Sequence, residues 1–190
     1  MYYHCIANIN STHLFIAGRV GHIYNRTADA AYIVDTRYSD FNFIQLPNLR
    51  RDRVAPACGA INDVRVESGV SITDTILIVA GGDFHSVHLG DTSRTTEKFK
   101  LSDWNVVPNT RWEKGPQLPR SFYQGGYVSN SQHPLILVGG ANDTTRHKHD
   151  LFDDILELNY EEFVFQTLPG RLKTPRKQFA VTGVETEEDC

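Results

Sequence analysis

A short apolar run that stops on glycine occurs three times in this chain, and the repetition restricts the folds open to it. The run is Leu77-Ile78-Val79-Ala80-Gly81-Gly82. Leu14-Phe15-Ile16-Ala17-Gly18-Arg19 precedes it and Leu135-Ile136-Leu137-Val138-Gly139-Gly140 follows it. Gly18, Gly81 and Gly139 align at spacings of 63 and 58 residues. Self-similarity of this kind marks one supersecondary unit made several times over. Apolar runs of this length, rich in β-branched residues and bounded by polar turns, read as strands.

Other marks keep step with the glycines. Each repeat closes on an aromatic residue followed by Leu-Pro: Phe43 with Leu46-Pro47, Trp112 with Leu118-Pro119, and Phe165 with Leu168-Pro169. Basic residues follow directly: Arg50, Arg51 and Arg53, then Arg120, then Arg171, Lys173, Arg176 and Lys177. A basic turn, an apolar strand, a second strand ending in Gly-Gly, a third strand and aromatic-x-x-Leu-Pro together resemble the kelch repeat. The chain departs from that pattern at Arg19, which replaces a glycine, and at Phe43 and Phe165, which replace tryptophan. Val34, Phe99 and Leu158 stand where the family usually has tyrosine.

The resemblance implies an all-β fold, a β-propeller of kelch type with one four-stranded antiparallel blade per repeat. Residues 1–184 form the expected array, with blades at about 1–50, 51–120 and 121–170, an extra strand at 176–184 and an acidic tail at 185–190. The expected strands are 4–9, 13–18, 30–35 and 41–46 in the first repeat, and 57–61, 75–80, 95–101 and 111–114 in the second. In the third they are 122–128, 134–138, 153–158 and 163–168. Three insertions, at 62–74, 83–94 and 102–110, read as long loops in the second repeat. Three blades and one strand are fewer than a family ring holds. The expectation is therefore the C-terminal half of a propeller, with a half-ring that closes by dimerising as the alternative. Either leaves open blade edges through which the chain self-associates.

With 19 basic and 23 acidic side chains and a net charge of −4, the chain is not a general nucleic-acid binder. No apolar run reaches the roughly 18 residues of a membrane span. Met1-Tyr2-Tyr3-His4 carries no basic n-region and no long apolar stretch, so no signal peptide is read there. The compartment is left open: cytoplasmic, or extracellular if an N-terminal part is missing. Cys5 and Cys58 occupy matching places in two first strands, 53 residues apart. Free cysteine is commonly buried, so two small buried thiols are the favoured reading and a disulfide the lesser one. Asn10, Asn25 and Asn142 each begin an Asn-x-Thr sequon in a predicted loop, as glycan acceptors do.

In a four-stranded meander the loops between second and third strands share a face with the connections between repeats. His85, His88, His147 and His149 fall on the former, and Arg51, Arg53, Arg120 and Arg176 on the latter. Arginine forks suit planar carboxylates, so this face is the candidate contact for a protein or peptide partner of acidic character. Gly18, Gly81, Gly82, Gly139 and Gly140 are structural. No nucleophile elbow, Cys-x-x-Cys pair or His-Glu-x-x-His stands in the chain, so no catalytic residue, cofactor or metal site is assigned. The expected function is a non-catalytic interaction module built of kelch repeats. The alternative is a metal-binding or oxidase-type kelch protein using the loop histidines.

Overall fold

Four apolar residues in a row, Leu77 to Ala80, are all fully buried, because their strand is covered on both faces. Leu77 and Val79 enter one hydrophobic cluster, while Ile78 and Ala80 enter another. Strand side chains alternate between faces. A strand with one wet face alternates in sequence; one buried on both faces reads as a continuous run.

That strand is the second of a four-stranded sheet in the computed structural model, which describes residues 3–19, 29–67, 70–82, 94–102, 110–130, 133–145, 148–177 and 181. The first sheet holds β1 (Tyr3–Asn8), β2 (His13–Arg19), β3 (Ala31–Asp35) and β4 (Asn42–Gln45), in that order. The second holds β5 (Ala57–Glu67), β6 (Val70–Ala80), β7 (Thr96–Ser102) and β8 (Glu113–Lys114). Next in the chain come β9 (Gly126–Val128), β10 (Ile136–Val138), β11 (Ala141–Thr145), β12 (Lys148–Leu151), β13 (Asp154–Asn159) and β14 (Val164–Arg171). The third sheet takes the order β14-β13-β10-β9, and β11 with β12 makes a separate two-stranded sheet. Every pairing is antiparallel. The fold is all-β, with three four-stranded meanders and no α-helix among the described residues.

The second sheet lies between the other two. Cys5, Ala7, Phe15, Ala17 and Ile33 of the first sheet meet Leu77, Val79, Phe99 and Leu101 of the second. Ile61, Ile78 and Ala80 meet Leu135, Leu137, Leu156 and Leu158 of the third. Trp112 wedges the first interface. Its ring stacks on Phe15 at 6.0 Å and tilts against Phe99 at 5.3 Å, while its indole N–H donates to the Pro47 carbonyl at 2.7 Å. Cys5 and Cys58, both fully buried, are joined in a disulfide across this interface. The favoured reading of two free thiols is thus corrected. Their first strands lie side by side, with Cα atoms 5.7 Å apart, inside the range a disulfide spans.

Tyr127 ties the first strands further. From β9 its hydroxyl reaches β1, where it accepts from the Ile6 N–H at 2.7 Å and donates to the Ile6 carbonyl at 3.1 Å. Burial pushes the phenol up from its ordinary value, opposed by the bond to Ile6, so at neutral pH it keeps the proton it donates. Tyr127→Phe leaves both backbone groups to water. It is expected to lower stability by about 0.5–1.5 kcal/mol; urea melts check it, and unchanged midpoints would refute the role.

Several expectations are corrected. The insertion at 62–74 is not a loop: β5 and β6 stay paired from Ala57↔Ala80 to Glu67↔Val70, leaving two residues between them. The alternating Val64, Val66, Val70 and Ile72 are strand formers. Residues 141–151, expected as a loop, include the β11–β12 hairpin. β9 is only three residues long, and β14 runs past Pro169 to Arg171. Of the expected extra strand at 176–184 only residues 176, 177 and 181 are described, and none of them is in a strand; the acidic tail lies outside the described residues.

Both glycines of the Gly-Gly corner take left-handed backbone, with φ of +66° and +86° at Gly81 and Gly82, and +59° and +95° at Gly139 and Gly140. A Cβ on Gly81 would run into the Phe122 carbonyl, which instead accepts from the Gly82 N–H at 2.8 Å. The Gly140 N–H likewise donates to the Arg176 carbonyl at 2.9 Å. Gly18 has φ of +96°, but with Arg19 beside it β2 continues one residue further.

The same hydrogen bonds correct the register of the repeats. Gly18, Gly81 and Gly139 donate to Ala30, Thr95 and Asp154. Leu49, Leu118 and Leu172 donate to the residues just before those, Asp29, Arg94 and Asp153. The equivalent leucines are therefore 49, 118 and 172, and only Leu118 belongs to a Leu-Pro pair. Leu46-Pro47 and Leu168-Pro169 fall three and four residues early.

Candidate partner-binding site

Counting from those leucines, Arg51 and Arg120 are equivalent, and so are Arg53, Phe122 and Arg176. Ala55 and Gln124, two residues further on, share a positive φ of 52° and 53°, which supports the alignment. Buried Leu46, Leu49 and Val54 pin the connection from β4 to β5, and Asn48 donates to the Asp29 carboxylate at 3.0 Å. Between these anchors Arg50 and Arg51 are exposed, whereas Arg53 is fully buried.

Every arm of the Arg53 guanidinium is occupied. Nε donates to Glu97 at 3.0 Å and Nη1 to the carbonyls of Gly81 and Thr95, at 2.5 and 3.0 Å. Nη2 donates to the Thr95 hydroxyl at 3.0 Å and lies 2.9 Å from Glu97. The second Glu97 oxygen accepts from the Arg50 N–H at 2.6 Å. Burial pushes the guanidinium down from its ordinary value while the Glu97 charge pushes it back, and arginine starts so high that it stays charged. In the third sheet Arg120 does the same job from a position two residues earlier. It grips Asp154 with two arms, donates to the Gly139 carbonyl at 2.9 Å and lies 4.0 Å over the Phe152 ring. Because Arg53 already holds the corresponding Gly81 carbonyl, Arg51, standing at Arg120's place, is released to the surface.

A cleft of about 400 Å³ opens there. Arg50, Arg51 and Lys114 line it with Thr95 and Thr96, and the Arg53–Glu97 pair forms part of its wall. Among the described residues the side-chain charges of Arg50, Arg51 and Lys114 have no ion-pair partner. Asp52, between Arg51 and Arg53, is raised above the ordinary carboxylate range by burial and then by the Asp29 charge. It neutralises early as pH falls, which makes the neighbourhood more cationic.

No protein-family model matches the chain, and no curated protein matches it. Its fold has a solved counterpart. The chain is similar to the structure described as "Structure of YjhT", with a TM-score of 0.59 at 13% identity. The match covers 90% of this chain and 52% of the other, so the chain spans about half the length of that structure. At this identity the likeness concerns the fold: antiparallel four-stranded sheets in an all-β chain.

Of the residues singled out from sequence, Arg51 and Arg53 meet at the cleft, the first exposed and the second locked to Glu97. Arg120 is locked to Asp154 in the next connection. Arg176 is exposed, and its Nε donates to the Thr174 carbonyl at 3.3 Å. His85, His88 and His147 lie outside the described residues; the backbone of His149 sits on β12 opposite Asp143. Among the described residues no group of three His, Cys, Asp or Glu side chains is placed to hold a metal, and no helix is long and apolar enough to cross a membrane. Lys114 and Arg50 were missed as site residues. Arg50 stood in the basic turn; Lys114 gave no signal, because only the β7–β8 pairing brings it to the cleft.

Proposed function

We propose that this chain is a set of kelch-type propeller blades serving as a non-catalytic interaction module, and that its basic cleft takes carboxylate side chains of an acidic peptide. The observation carrying the reading is the trio of cations without an ion-pair partner among the described residues, Arg50, Arg51 and Lys114, around one cleft beside an ion pair that is already saturated. The propeller assignment is supported by the three meanders, the repeated Gly-Gly corners and the likeness to a structure about twice as long.

The test is titration of the full chain with a glutamate-rich peptide, and with neutral and lysine-rich peptides of equal length. Binding is expected for the first alone, weakening as salt rises. Exposed charge pairs contribute about 0.2–1 kcal/mol each, so Arg50→Ala, Arg51→Ala and Lys114→Ala combined should weaken it between about threefold and a hundredfold. A triple variant that binds as tightly as the parent sinks the proposal. Arg53 is left intact, since its loss would be read as unfolding.

A further inference from the structure

Asn10 sits at the tip of the β1–β2 hairpin, where it is exposed. The Ile9 N–H donates to the His13 carbonyl at 3.0 Å and closes the turn. Asn10 Oδ1 organises it further, accepting from the Thr12 N–H at 2.8 Å, the His13 N–H at 2.9 Å and the Thr12 hydroxyl at 3.1 Å. The other end of the amide, Nδ2, makes no hydrogen bond among the described residues. A nitrogen thus points out of a fold that uses only the oxygen, in the sequence Asn10-Ser11-Thr12.

A second, independent observation says where such a nitrogen would be met. The Cys5–Cys58 disulfide closes β1 onto β5 in the interior. Disulfides of this structural kind form and persist where the environment is oxidising, as in the secretory pathway, and are rare where thiols are kept reduced. That pathway is also where Asn-x-Thr sites are glycosylated. Geometry adds a third point. The hairpin tip lies at the far end of β1 from the connections that carry Arg50 and Arg51, so a bulky group there leaves the cleft open.

We propose that Asn10 is an N-linked glycan acceptor and that this chain matures in an oxidising compartment. In the transfer, Asn10 Nδ2 displaces a lipid pyrophosphate from the anomeric carbon of a lipid-linked oligosaccharide. One N–C bond forms, the anomeric C–O bond breaks, and an amide proton is lost. The sequence offers Asn25 and Asn142 as well. Asn25 lies outside the described residues, and the backbone of Asn142 is paired with Asp150 within β11–β12. Among the described residues, Asn10 is the sequon found at an exposed turn.

The experiment directs the full chain into the secretory pathway of cultured animal cells. The purified protein is then treated with peptide-N-glycosidase in heavy-oxygen water, which turns each glycan-bearing asparagine into isotope-marked aspartate. A mark at Asn10 is expected, with Cys5 and Cys58 protected from alkylation until reduced. Asn10→Asp removes the nucleophile but keeps an oxygen for the three turn bonds, so it should fold and lose one glycan in mass. Thr12→Ala should lose the same glycan with Asn10 intact, and Thr12→Ser should keep it. A folded, secreted chain with an unmarked Asn10 peptide overturns the proposal, and so do free Cys5 and Cys58 thiols in that material.

Discussion

Replacing Arg53 by methionine is expected to lower stability by about 3–5 kcal/mol, because Glu97 is then a buried carboxylate without its counter-charge. Glu97 is 3% exposed, and its remaining hydrogen bond is to the Arg50 N–H. The Gly81 carbonyl also loses this donor, while the Thr95 carbonyl keeps the Gly81 N–H. Single domains are stable by about 5–15 kcal/mol, so this is a large share of what the chain has. Two comparisons separate the pair from bulk and from surface charge. Arg51→Met, two residues away and exposed, should stay within about 0.5 kcal/mol of the parent. Arg53→Met with Glu97→Leu should recover much of the loss, since a buried pair replaced by apolar groups is often close to neutral. Urea melts of the four proteins decide it. If Arg53→Met and Arg51→Met melt together, the pair does not hold the β4–β5 connection.

The contrast between those two arginines shows what the sequence could carry. The basic turns were visible as clusters, and their common face follows from a meander. Which guanidinium is tied down depends on where a carboxylate arrives from another strand. Glu97 comes from β7 and Asp154 from the start of β13, two residues out of register with each other. No spacing along the chain encodes that. The glycines were legible because positive φ and close backbone approach leave glycine almost alone as a choice. Leu77 to Ala80 were legible because a strand covered on both faces has no polar position. The length of β5 and β6 was missed for the opposite reason: Asn62, Asp63, Arg65, Glu67 and Ser71 interrupt the apolar run, yet the backbone pairing continues through all of them. Leu-Pro misled because it marks no fixed place in the blade: Leu46-Pro47 follows the end of β4 and Leu168-Pro169 lies inside β14, whereas the hydrogen bonds pick out Leu49 and Leu172 with Leu118.

Removing the disulfide is the second large effect. Cys5 and Cys58 are separated by 53 residues, and closing a loop of that size restricts the unfolded chain by about 4 kcal/mol on the chain-entropy account, within a usual range of about 2–5. The half-cystines lie in the first core cluster beside small residues, Ala7, Ala17 and Ala60. Alanine is therefore the apt replacement: a serine hydroxyl buried there would add a desolvation cost of its own. The Cys5→Ala, Cys58→Ala variant should melt at lower urea by an amount equivalent to a few kcal/mol and ignore reductant, whereas the parent should fall to nearly the same midpoint when reduced. Reductant is the sharper half of the comparison because it changes no side-chain volume beyond the bond itself. The bond also staples the interface that Trp112 holds by weaker means, so its loss should act on the first sheet before the others. Hydrogen exchange of β1 to β3 should accelerate most, with β13 and β14 changing least. Uniform acceleration across all three sheets would mean that they unfold as one unit and that the bond restrains only the fully unfolded chain. Midpoints of parent and variant that coincide in the absence of reductant would show that Cys5 and Cys58 are not joined at all.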